Sequence, residues 1–463
     1  MLPVATPAAG PAPGALVARE LARAIGGLAI APLRMLAYLA RRDAHRAELD
    51  SALAAPREVD VPPAPRELHL PPDRPLRIFV SCAEPSGEQH ATNLVGALRD
   101  VAARGGAPEP EIVALGGPRL AALGVRCIGD PVSRAAMGAE AARGVRFYAG
   151  LLRDVAAELR AAPFDVVIPV DSPALHVPLG RIARAYGAPV VHFITPQYWG
   201  WAPWRVGGYR GAVDLAITIL PFEPAWFDAH RVPVAHAGHP LLDALADVLG
   251  PAEPTRVEVS DPPTLAVLPG SRAGVVDRHL PWMLAVAASA RERVPGLRVV
   301  LPHARAEVAE RIRGHVRAAG AEPWAELVPD ELHPTLARAD AALSVSGTVL
   351  LDLLHHRLPT VVVYRVGGAL RAALGKKLLT TPWFASVNLL AGREVLPEFG
   401  FHGEGPRPAV ERAVVRALTD AAWRRECRAG LDEAAERLGP PGAVARAAAF
   451  ALSRARATSE AGR

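Results

Sequence analysis

Apolar runs of five to seven residues alternate with stretches of helical periodicity between Arg77 and Arg365. The runs that we predict to be strands are RIFVSCA, EIVALGG, VVIPVD, VVHFIT, DLAITIL, VAHAG, LAVLPG, RVVLPH, AELVP, AALSVS and TVVVYR. Because these runs are apolar on both faces and helical segments separate them, the pattern predicts parallel sheets that are covered by helices on both sides.

One segment interrupts this alternation of strand and helix patterns. Residues 244–264 carry Pro, Gly and acidic residues in neither pattern, so we predict a domain boundary there. The predicted fold class is α/β, with two doubly wound, Rossmann-like domains that face a cleft and gather ligands at the carboxyl ends of their strands. The predicted divisions are an N-terminal helical extension at 1–72, α/β domains at 73–245 and 246–405, and C-terminal helices at 406–463 that pack back on the first domain or on a partner subunit.

The N-terminal extension has its own pattern. Residues 1–15 and 54–75 are rich in Ala and Pro, and we expect the first to be disordered and the second to be a semi-rigid linker. Between them, apolar residues recur at helical spacing at Val17, Leu21, Ile25 and Leu28. Pro32 breaks this run, and the uncharged interval 24–33 is too short to span a bilayer. Arginines surround it, so two interpretations stay open: a helix on an anionic membrane surface, or a helix packed on this or a second subunit.

Composition narrows the function classes. The formal net charge of +5 suits anionic ligands or an acidic membrane surface and is too small to indicate a nucleic-acid partner. Cys82, Cys127 and Cys427 have no paired spacing, so neither a disulfide framework nor a zinc site is predicted. The sequence has no Walker loop, GxGxxG or GxSxG motif, which disfavours P-loop hydrolases and dinucleotide oxidoreductases. We expect neither a cofactor nor a metal.

A carboxylate ends the third predicted strand. Asp171 closes the run VVIPVD, and Pro173 keeps the chain from continuing as a strand. A carboxylate at the end of a buried strand is costly to place unless it is hydrogen-bonded. We therefore predict that Asp171 faces the mouth of the cleft, as a general base or as a helix cap.

Other candidates in the first half also follow predicted strands. The small residues of the EPSG turn permit close approach by a ligand, and the tryptophan-rich run QYWGWAPW either forms an apolar, sugar-stacking wall or merely packs its loop. The candidate residues on this side are Glu84, Ser86, Gly87, His192, Trp199 and Trp201.

The second half contains a turn that suits a phosphate. Ser346-Gly347-Thr348 follows the run AALSVS and opens a helix, so backbone N–H groups and a partial positive charge point at one spot. Asp352 lies about one helical turn further along the same face, where it could accept hydrogen bonds from ribose hydroxyls. Together these features suit a nucleotide; the alternative is an ordinary capped turn.

Two further loops of the second half carry polar groups. Gly270 and Ser271 allow a tight turn, and Arg272 offers a planar fork for a phosphate. The run NLLAGRE lies beyond the last predicted strand and could reach back to the cleft with Asn388 and Arg393.

Seven motifs, in order and spacing, resemble those of the lipid-A-disaccharide synthase family. They are EPSG from Glu84, HFITPQYWGW from His192, LPFE from Leu220, GHPL from Gly238, LPGSR from Leu268, SGTVLLD from Ser346 and NLLAGRE from Asn388. The resemblance implies the GT-B fold and an inverting, metal-independent hexosyltransferase of lipid A biosynthesis. Such an enzyme moves 2,3-diacylglucosamine from its UDP conjugate to 2,3-diacylglucosamine 1-phosphate, which gives a β-1,6-linked disaccharide phosphate and UDP.

The resemblance also implies residue roles and a location. Asp171 matches the base that deprotonates the acceptor hydroxyl in the N-terminal, acceptor-binding domain. We assign the UDP-sugar side of the C-terminal domain to Gly270, Ser271, Arg272, Ser346, Gly347, Thr348, Asp352, Asn388, Arg393 and Glu394. Both substrates carry acyl chains, so the implied location is cytoplasmic, peripheral on the inner face of the cytoplasmic membrane. A homodimer is left open.

The chain departs from the family's motifs at several positions, which are Ala83, Glu88, Ala91, Ala174, His176, Val275, Asp352 and Phe401. Two alternatives therefore stay open: a divergent GT-B relative that uses another acylated or prenyl-linked acceptor, and a UDP-sugar 2-epimerase-like enzyme. An epimerase should carry additional carboxylate and histidine groups around the sugar C2, and the sequence shows no convincing cluster of them.

Overall fold

A computed structural model describes residues 10–54, 61, 63, 65, 68–136, 141–249, 258–303, 306–369, 375 and 377–456. The chain divides into two compact units. The described residues within Met1–Ala52, Asp60–Ala244 and Pro440–Arg463 form the first unit, and those within Leu53–Val59 and Leu245–Gly439 form the second. The main division, between residues 244 and 245, falls one residue before the boundary predicted from the sequence.

The first unit is built on parallel strands. They are β1 (Arg77–Ser81), β2 (Glu111–Leu115), β3 (Arg126–Gly129), β4 (Val166–Pro169), β5 (Val191–Phe193), β6 (Leu215–Thr218) and β7 (Val234–His236). One sheet has the order β3-β2-β1-β4 and a second has the order β5-β6-β7. Parallel bridges Val167–Val190 and Val170–Phe193 join β4 to the segment around β5, so the seven described strands form one continuous, doubly wound arrangement.

The second unit repeats this topology. Its strands are β8 (Thr264–Leu268), β9 (Arg298–His303), β10 (Ala325–Pro329), β11 (Ala341–Val345), β12 (Thr360–Arg365) and β13 (Glu398–Phe401). All pair in parallel, in the order β10-β9-β8-β11-β12-β13. If the strands of each unit are numbered from that unit's own first strand, both units have the order 3-2-1-4-5-6, and the first unit continues with a seventh strand.

Helices connect and cover the strands. Those before the division are α1 (Pro13–Ala29), α2 (Ala31–Leu53), α3 (Pro85–Arg104), α4 (Pro118–Ala122), α5 (Pro131–Ala136), α6 (Ala141–Ala161), α7 (Pro173–Ala185), α8 (Val206–Arg210) and α9 (Glu223–Ala229). Those that cross or follow it are α10 (Leu241–Leu249), α11 (Ala273–Arg293), α12 (Ala306–Ala318), α13 (Leu332–Arg338), α14 (Val349–His355), α15 (Ser386–Ala391), α16 (Arg407–Thr419), α17 (Ala421–Glu436) and α18 (Ala443–Leu452).

Each unit has its own apolar core, as the patterns of its strands predict. In the first unit, Ile78 and Val80 of β1 are fully buried with Leu94 and Leu98 of α3. The last helix, α18, belongs to the same core and packs along α3. In the second unit, residues of β8 and β11 are buried in one core with residues of α11 and α16. The predicted α/β class with two Rossmann-like units is confirmed.

Two strands were missed by the sequence patterns. Both β3 and β13 are edge strands of their sheets, and their residues are mostly half-exposed. An edge strand of this kind needs no continuous apolar run, and each contains a glycine that weakens its pattern further.

The N-terminal extension forms two helices where one stretch was predicted. The first begins at Pro13, inside the segment expected to be disordered, and the break at Ile30 lies just before Pro32. The remainder of that segment up to residue 9, much of the predicted linker, and the end of the chain from 457 lie outside the described residues. None of the helices in the described parts combines the length and the apolar character that crossing a bilayer requires.

Candidate active site

The candidate loops lie where the strand order reverses. In the first unit the reversal falls between β1 and β4, which the EPSG turn and Asp171 follow; in the second it falls between β8 and β11, which Gly270 and Ser346 follow. Ligands of doubly wound sheets bind outside the carboxyl ends of the strands at this switch point. Each unit therefore places candidates from two separate motifs at its own ligand-binding position.

Asp171 occupies a strained turn. Its φ is +57° and that of Ser172 is +46°, two consecutive left-handed residues without a glycine. Such residues cost roughly 1–3 kcal/mol each and persist where surrounding contacts hold them. The Asp171 amide donates to the Phe193 carbonyl oxygen at 2.9 Å, which ties the turn to the end of β5.

Two buried imidazoles hold the Asp171 carbonyl oxygen. His192 donates to it through Nε2 at 2.9 Å, and His176 on α7 donates to it through Nδ1. Because Nδ1 of His176 carries the proton, its Nε2 accepts from the Ser81 hydroxyl, 2.9 Å away at the end of β1. The three residues link the ends of β1 and β5 to the turn and fix its main chain.

The surroundings of Asp171 raise the pKa of its carboxyl group and keep the two neighbouring histidines neutral. Burial lowers the pKa of His176 to about 3 and that of His192 to about 4, so both rings are neutral near pH 7. Burial also raises the pKa of Asp171 above its usual value. A carboxylate with a raised pKa and no adjacent cationic imidazole is suited to accept a proton.

The EPSG turn lies against the same strand end. A Cβ added at Gly87 would lie 3.6 Å from the Val170 carbonyl oxygen, so the first turn of α3 packs beside the residue before Asp171. Glu84 and Ser86 are exposed. The neighbouring Glu88 is buried and accepts from the Arg119 amide at 3.0 Å, which fixes the turn to the start of α4.

The tryptophan-rich loop divides into packed and exposed residues. Trp199 is buried, and its indole N–H donates to Glu223 at 3.1 Å. Burial raises the pKa of Glu223 to about 7, although its other oxygen accepts from the Ile219 and Leu220 amides. Trp201 is exposed, with the Arg205 guanidinium 4.6 Å from its ring centre. Trp199 therefore packs the loop, and Trp201 alone of this pair offers a surface to a ligand.

The loop after β8 requires a glycine. Gly270 has a φ of +106°, and a Cβ there would lie 2.9 Å from Cγ1 of Val275. This tight turn leaves Ser271 and Arg272 exposed at the start of α11, a helix end that favours anions and to which Arg272 adds a positively charged side chain.

The loop after β11 is exposed at its tip and anchored at its base. Gly347 and Thr348 are exposed, whereas the Ser346 hydroxyl donates to the Phe384 carbonyl oxygen at 2.8 Å. Burial raises the pKa of Asp352 to about 7. Nε2 of His333 lies 3.8 Å from the Asp352 carboxylate, a neighbour that no sequence motif indicated.

The NLLAGRE residues divide between the core and the amino end of the sheet. Asn388 is fully buried, donates to the Leu396 carbonyl oxygen at 2.8 Å and accepts from the Val395 and Leu396 amides. Arg393 and Glu394 precede β13, at the amino end of the strands, whereas Ser346 follows β11 at the carboxyl end. Arg393 pairs there with Glu433 at 3.0 Å, and it lines a cavity of about 420 Å³ with Glu394 and residues of α16 and α17.

Sequence reasoning missed the residues that support the site. His176 stands out in the sequence only as a departure from a motif, and no motif contains Ser81 or His333. A histidine on the first turn of α7, five residues after Asp171, was the one available signal. Within the described residues, no cluster of His, Cys, Asp and Glu is arranged to hold a metal ion.

Solved structures define the class of protein. The S. aureus MnaA–UDP co-structure is similar with a TM-score of 0.54 at 13% identity, covering 80% of this chain and 94% of that one. A Listeria monocytogenes protein assigned as a UDP-N-acetylglucosamine 2-epimerase gives a TM-score of 0.53 at 12% identity, with coverages of 80% and 94%. These matches establish the GT-B fold, which glycosyltransferases and such epimerases share.

Sequence comparison then identifies the family. The family model for lipid-A-disaccharide synthetase matches residues 78–428. The lipid-A-disaccharide synthase of Myxococcus xanthus is 35% identical over 381 residues, which cover 82% of this chain and 97% of that protein. That of Syntrophus aciditrophicus is 31% identical over 381 residues, with coverages of 81% and 97%. The chain belongs to the lipid-A-disaccharide synthetase family of glycosyltransferases, as its seven motifs predicted.

Proposed function

We propose that this chain moves 2,3-diacylglucosamine from its UDP conjugate to 2,3-diacylglucosamine 1-phosphate, with inversion and without a metal. The family supports the reaction. The observation that supports the mechanism is the strained turn at the switch point of the first unit, where Asp171 has a raised pKa and two neutral histidines hold its carbonyl oxygen.

Asp171 acts as the general base in this proposal. It accepts the proton of the acceptor 6-hydroxyl as that oxygen attacks the anomeric carbon of the donor sugar. The new carbon–oxygen bond forms while the bond to the UDP phosphate oxygen breaks, and UDP leaves with the electron pair. A single displacement from the face opposite the leaving group inverts the anomeric centre and gives the β linkage.

The second unit stabilises the leaving group. Gly270 lets the backbone turn tightly, and Arg272 neutralises charge that develops on the pyrophosphate. The exposed Gly347 and Thr348 offer backbone N–H groups to the same phosphates. Asp352 accepts from the ribose hydroxyls, with His333 beside it. Asn388 supports this side from the core, because it donates to the Glu398 carboxylate, which holds the Phe384 and Ala385 amides beside the carbonyl oxygen that anchors Ser346.

Both substrates carry acyl chains, which fixes where the reaction takes place. The sugar headgroups must reach Asp171 while the chains stay in a lipid phase, so the enzyme works peripherally on the inner face of the cytoplasmic membrane. The exposed Trp201 on the acceptor-side loop suits contact with an amphipathic substrate.

A product assay tests this function. Purified protein is incubated in detergent with UDP-2,3-diacylglucosamine and 2,3-diacylglucosamine 1-phosphate, with and without EDTA, and the product is analysed by mass spectrometry and by the anomeric coupling constant in NMR. We expect a β-linked disaccharide phosphate in both samples. A loss of product with EDTA would contradict metal independence, and a product formed only with another acceptor, or an epimerised UDP-sugar, would contradict the assigned reaction.

A further inference from the structure

The middle of the N-terminal extension is exposed over a continuous stretch. From Ala22 to Ala37, which we name the exposed segment, every residue except Gly27 is exposed. Its large apolar side chains are among the most exposed described, with Leu28 75%, Ile25 69%, Leu33 67% and Leu36 64% accessible. Seven of the eleven exposed large apolar residues described lie between Ile25 and Leu39. An apolar patch of this kind marks an interaction surface.

The two ends of the extension are anchored on the first unit. At the start of α1, Leu16 and Val17 are buried, and Glu20 pairs with Arg181 of α7 at 2.9 Å. In α2, Tyr38 is 2% exposed and packs against Trp204, with ring centres 5.3 Å apart. Leu49 further along α2 is fully buried. The exposed segment is therefore a helix–turn–helix held at both ends by packed residues.

The charges within the exposed segment have one sign. No acidic residue occurs between Leu21 and Arg42, whereas Arg23, Arg34, Arg41 and Arg42 do. Glu20 directly before this interval pairs with Arg23 and Arg181, and Asp43 follows it directly. Within the interval the only charged neighbours of the apolar side chains are arginines, which complements a surface that is apolar inside and anionic outside.

The anchor of α2 connects the exposed segment to the acceptor-side loop. Trp204, which packs on Tyr38, lies three residues after Trp201, the exposed tryptophan of that loop. Tryptophan is the side chain that favours the interface between lipid headgroups and acyl chains. An exposed tryptophan therefore lies on a loop that directly contacts α2.

We propose that the exposed segment is a docking surface for an anionic lipid bilayer, with Ile25, Leu28, Leu33 and Leu36 inserted at the level of the acyl chains and the arginines at the phosphates. This proposal rests on the proposed function in one respect, since an enzyme whose substrates are held in a bilayer by acyl chains must bind at the surface of that bilayer. The family model begins at residue 78, so the exposed segment lies outside the part of the chain that this model matches. A second copy of the chain fits less well, because a symmetric contact would bring the arginines of both copies together.

Vesicle binding tests the surface. The full chain and the variant Leu33→Ser/Leu36→Ser are sedimented with vesicles of phosphatidylcholine alone and of phosphatidylcholine with phosphatidylglycerol. We expect the full chain to bind the anionic vesicles, and the variant to bind them about tenfold more weakly, since two leucines leave the apolar phase. The matched control is Ala44→Ser/Ala47→Ser, two exposed positions further along the same helix, which should bind like the parent.

Each alternative has its own result. Equal binding of the leucine variant and its parent, or equal binding to neutral and anionic vesicles, would overturn the proposal. So would a dimer of the parent in light scattering that the leucine variant converts to a monomer, because the occupant would then be a second copy. Transfer is measured in parallel on detergent-solubilised substrates, where the leucine variant should match the parent. A parent that binds anionic vesicles but forms no disaccharide would contradict the proposed function and leave the docking surface standing.

Discussion

The contacts that His176 and His192 make at the Asp171 turn hold its main chain and not its carboxylate. His176 and His192 both donate to the carbonyl oxygen of Asp171, and Phe193 accepts from its amide. The strain of two left-handed residues is offset by these contacts, which would be lost if the turn relaxed. The side chain is thus placed by its main chain, so its position does not depend on its own charge.

The first prediction concerns this carboxylate. Asp171→Asn keeps the shape of the side chain and every main-chain contact, but an amide cannot accept a proton. We expect kcat to fall by about a hundredfold to ten-thousandfold, the usual contribution of a general base. UDP binding, measured by calorimetry, should be unchanged because the proposed UDP residues lie in the second unit. Turnover at the parental rate would remove Asp171 from the mechanism.

A second prediction tests His176 as a positioning residue. His176→Ala removes the donor to the Asp171 carbonyl and the partner of Ser81. We expect kcat to fall about tenfold to a hundredfold. Because water then reaches the turn, the raised pKa of Asp171 should fall, and the acidic limb of the kcat/KM profile should move to lower pH.

Two variants accompany that measurement. Ser81→Ala removes only the hydrogen bond to Nε2 of His176 and should cost less, and His176→Asn restores a side chain that can donate and should recover part of the rate. A fall in kcat for His176→Ala without any movement of the acidic limb would indicate a purely structural role.

At the scale of elements, the sequence predicts the strands that are buried on both faces, because burial requires a run of apolar residues. Strands such as β1 and β11 are buried on both faces, so their apolar runs mark them within two residues of their ends. The motif loops are equally visible because they directly follow such strands. The edge strands β3 and β13 are partly exposed and need no apolar run, so the sequence does not mark them. The support that His176 gives to Asp171 depends on how α7 packs against the end of β1, which no local sequence pattern predicts.

The placement of NLLAGRE illustrates the same limit. The sequence shows that Asn388, Arg393 and Glu394 follow the predicted strand β12, which suggested the carboxyl end of the sheet. The strand β13, which the pattern did not predict, follows these residues and runs parallel to β12, so Arg393 and Glu394 just before it lie at the amino end of the sheet. Where this loop lies could not be read from the sequence without that edge strand.

The third prediction concerns the cap of α18. The Asp243 carboxylate accepts from the Gly442, Ala443 and Val444 amides at 2.6, 3.0 and 2.8 Å, at the start of this helix. Asp243→Ala leaves these donors without their acceptor, so we expect a loss of about 2 kcal/mol in the free energy of unfolding. Chemical denaturation checks it, with Asp228→Ala, an exposed position on α9, as the control. Equal stability of the two variants would refute the cap.

At the scale of the whole molecule, buried histidines set the response to acid. Burial lowers the pKa of His176 and His239 to about 3 and that of His192 and His236 to about 4. In the unfolded chain these groups take up protons near pH 6.5. Below that pH the unfolded state binds more protons than the folded state, so these histidines lower the free energy of unfolding as the pH falls.

Two carboxyls act in the opposite direction. Burial raises the pKa of Glu223 and Asp352 to about 7, so the folded state holds protons there that the unfolded state releases above about pH 4.5. These two stabilise the fold on acidification. Because the strongly shifted histidines outnumber them, the fourth prediction is a net loss of stability between pH 7 and pH 5.

Urea denaturation at several pH values measures this balance. Each unmatched proton contributes about 1.4 kcal/mol per pH unit, and His239→Gln should make the dependence less steep by about that amount. A free energy of unfolding that rises on acidification would show that the carboxyls dominate.

The return of α18 to the first unit has a consequence for biosynthesis. Residues of this helix, including Ala447 and Ala451, complete the core against α3, yet the ribosome makes them after the main segment of the second unit. The second unit is contiguous from Leu245 to Gly439 apart from a short segment, so its sequence is available earlier. The half that is translated first is thus the half that finishes folding last, and a nascent chain that stalls before residue 440 exposes an unclosed core in its N-terminal half.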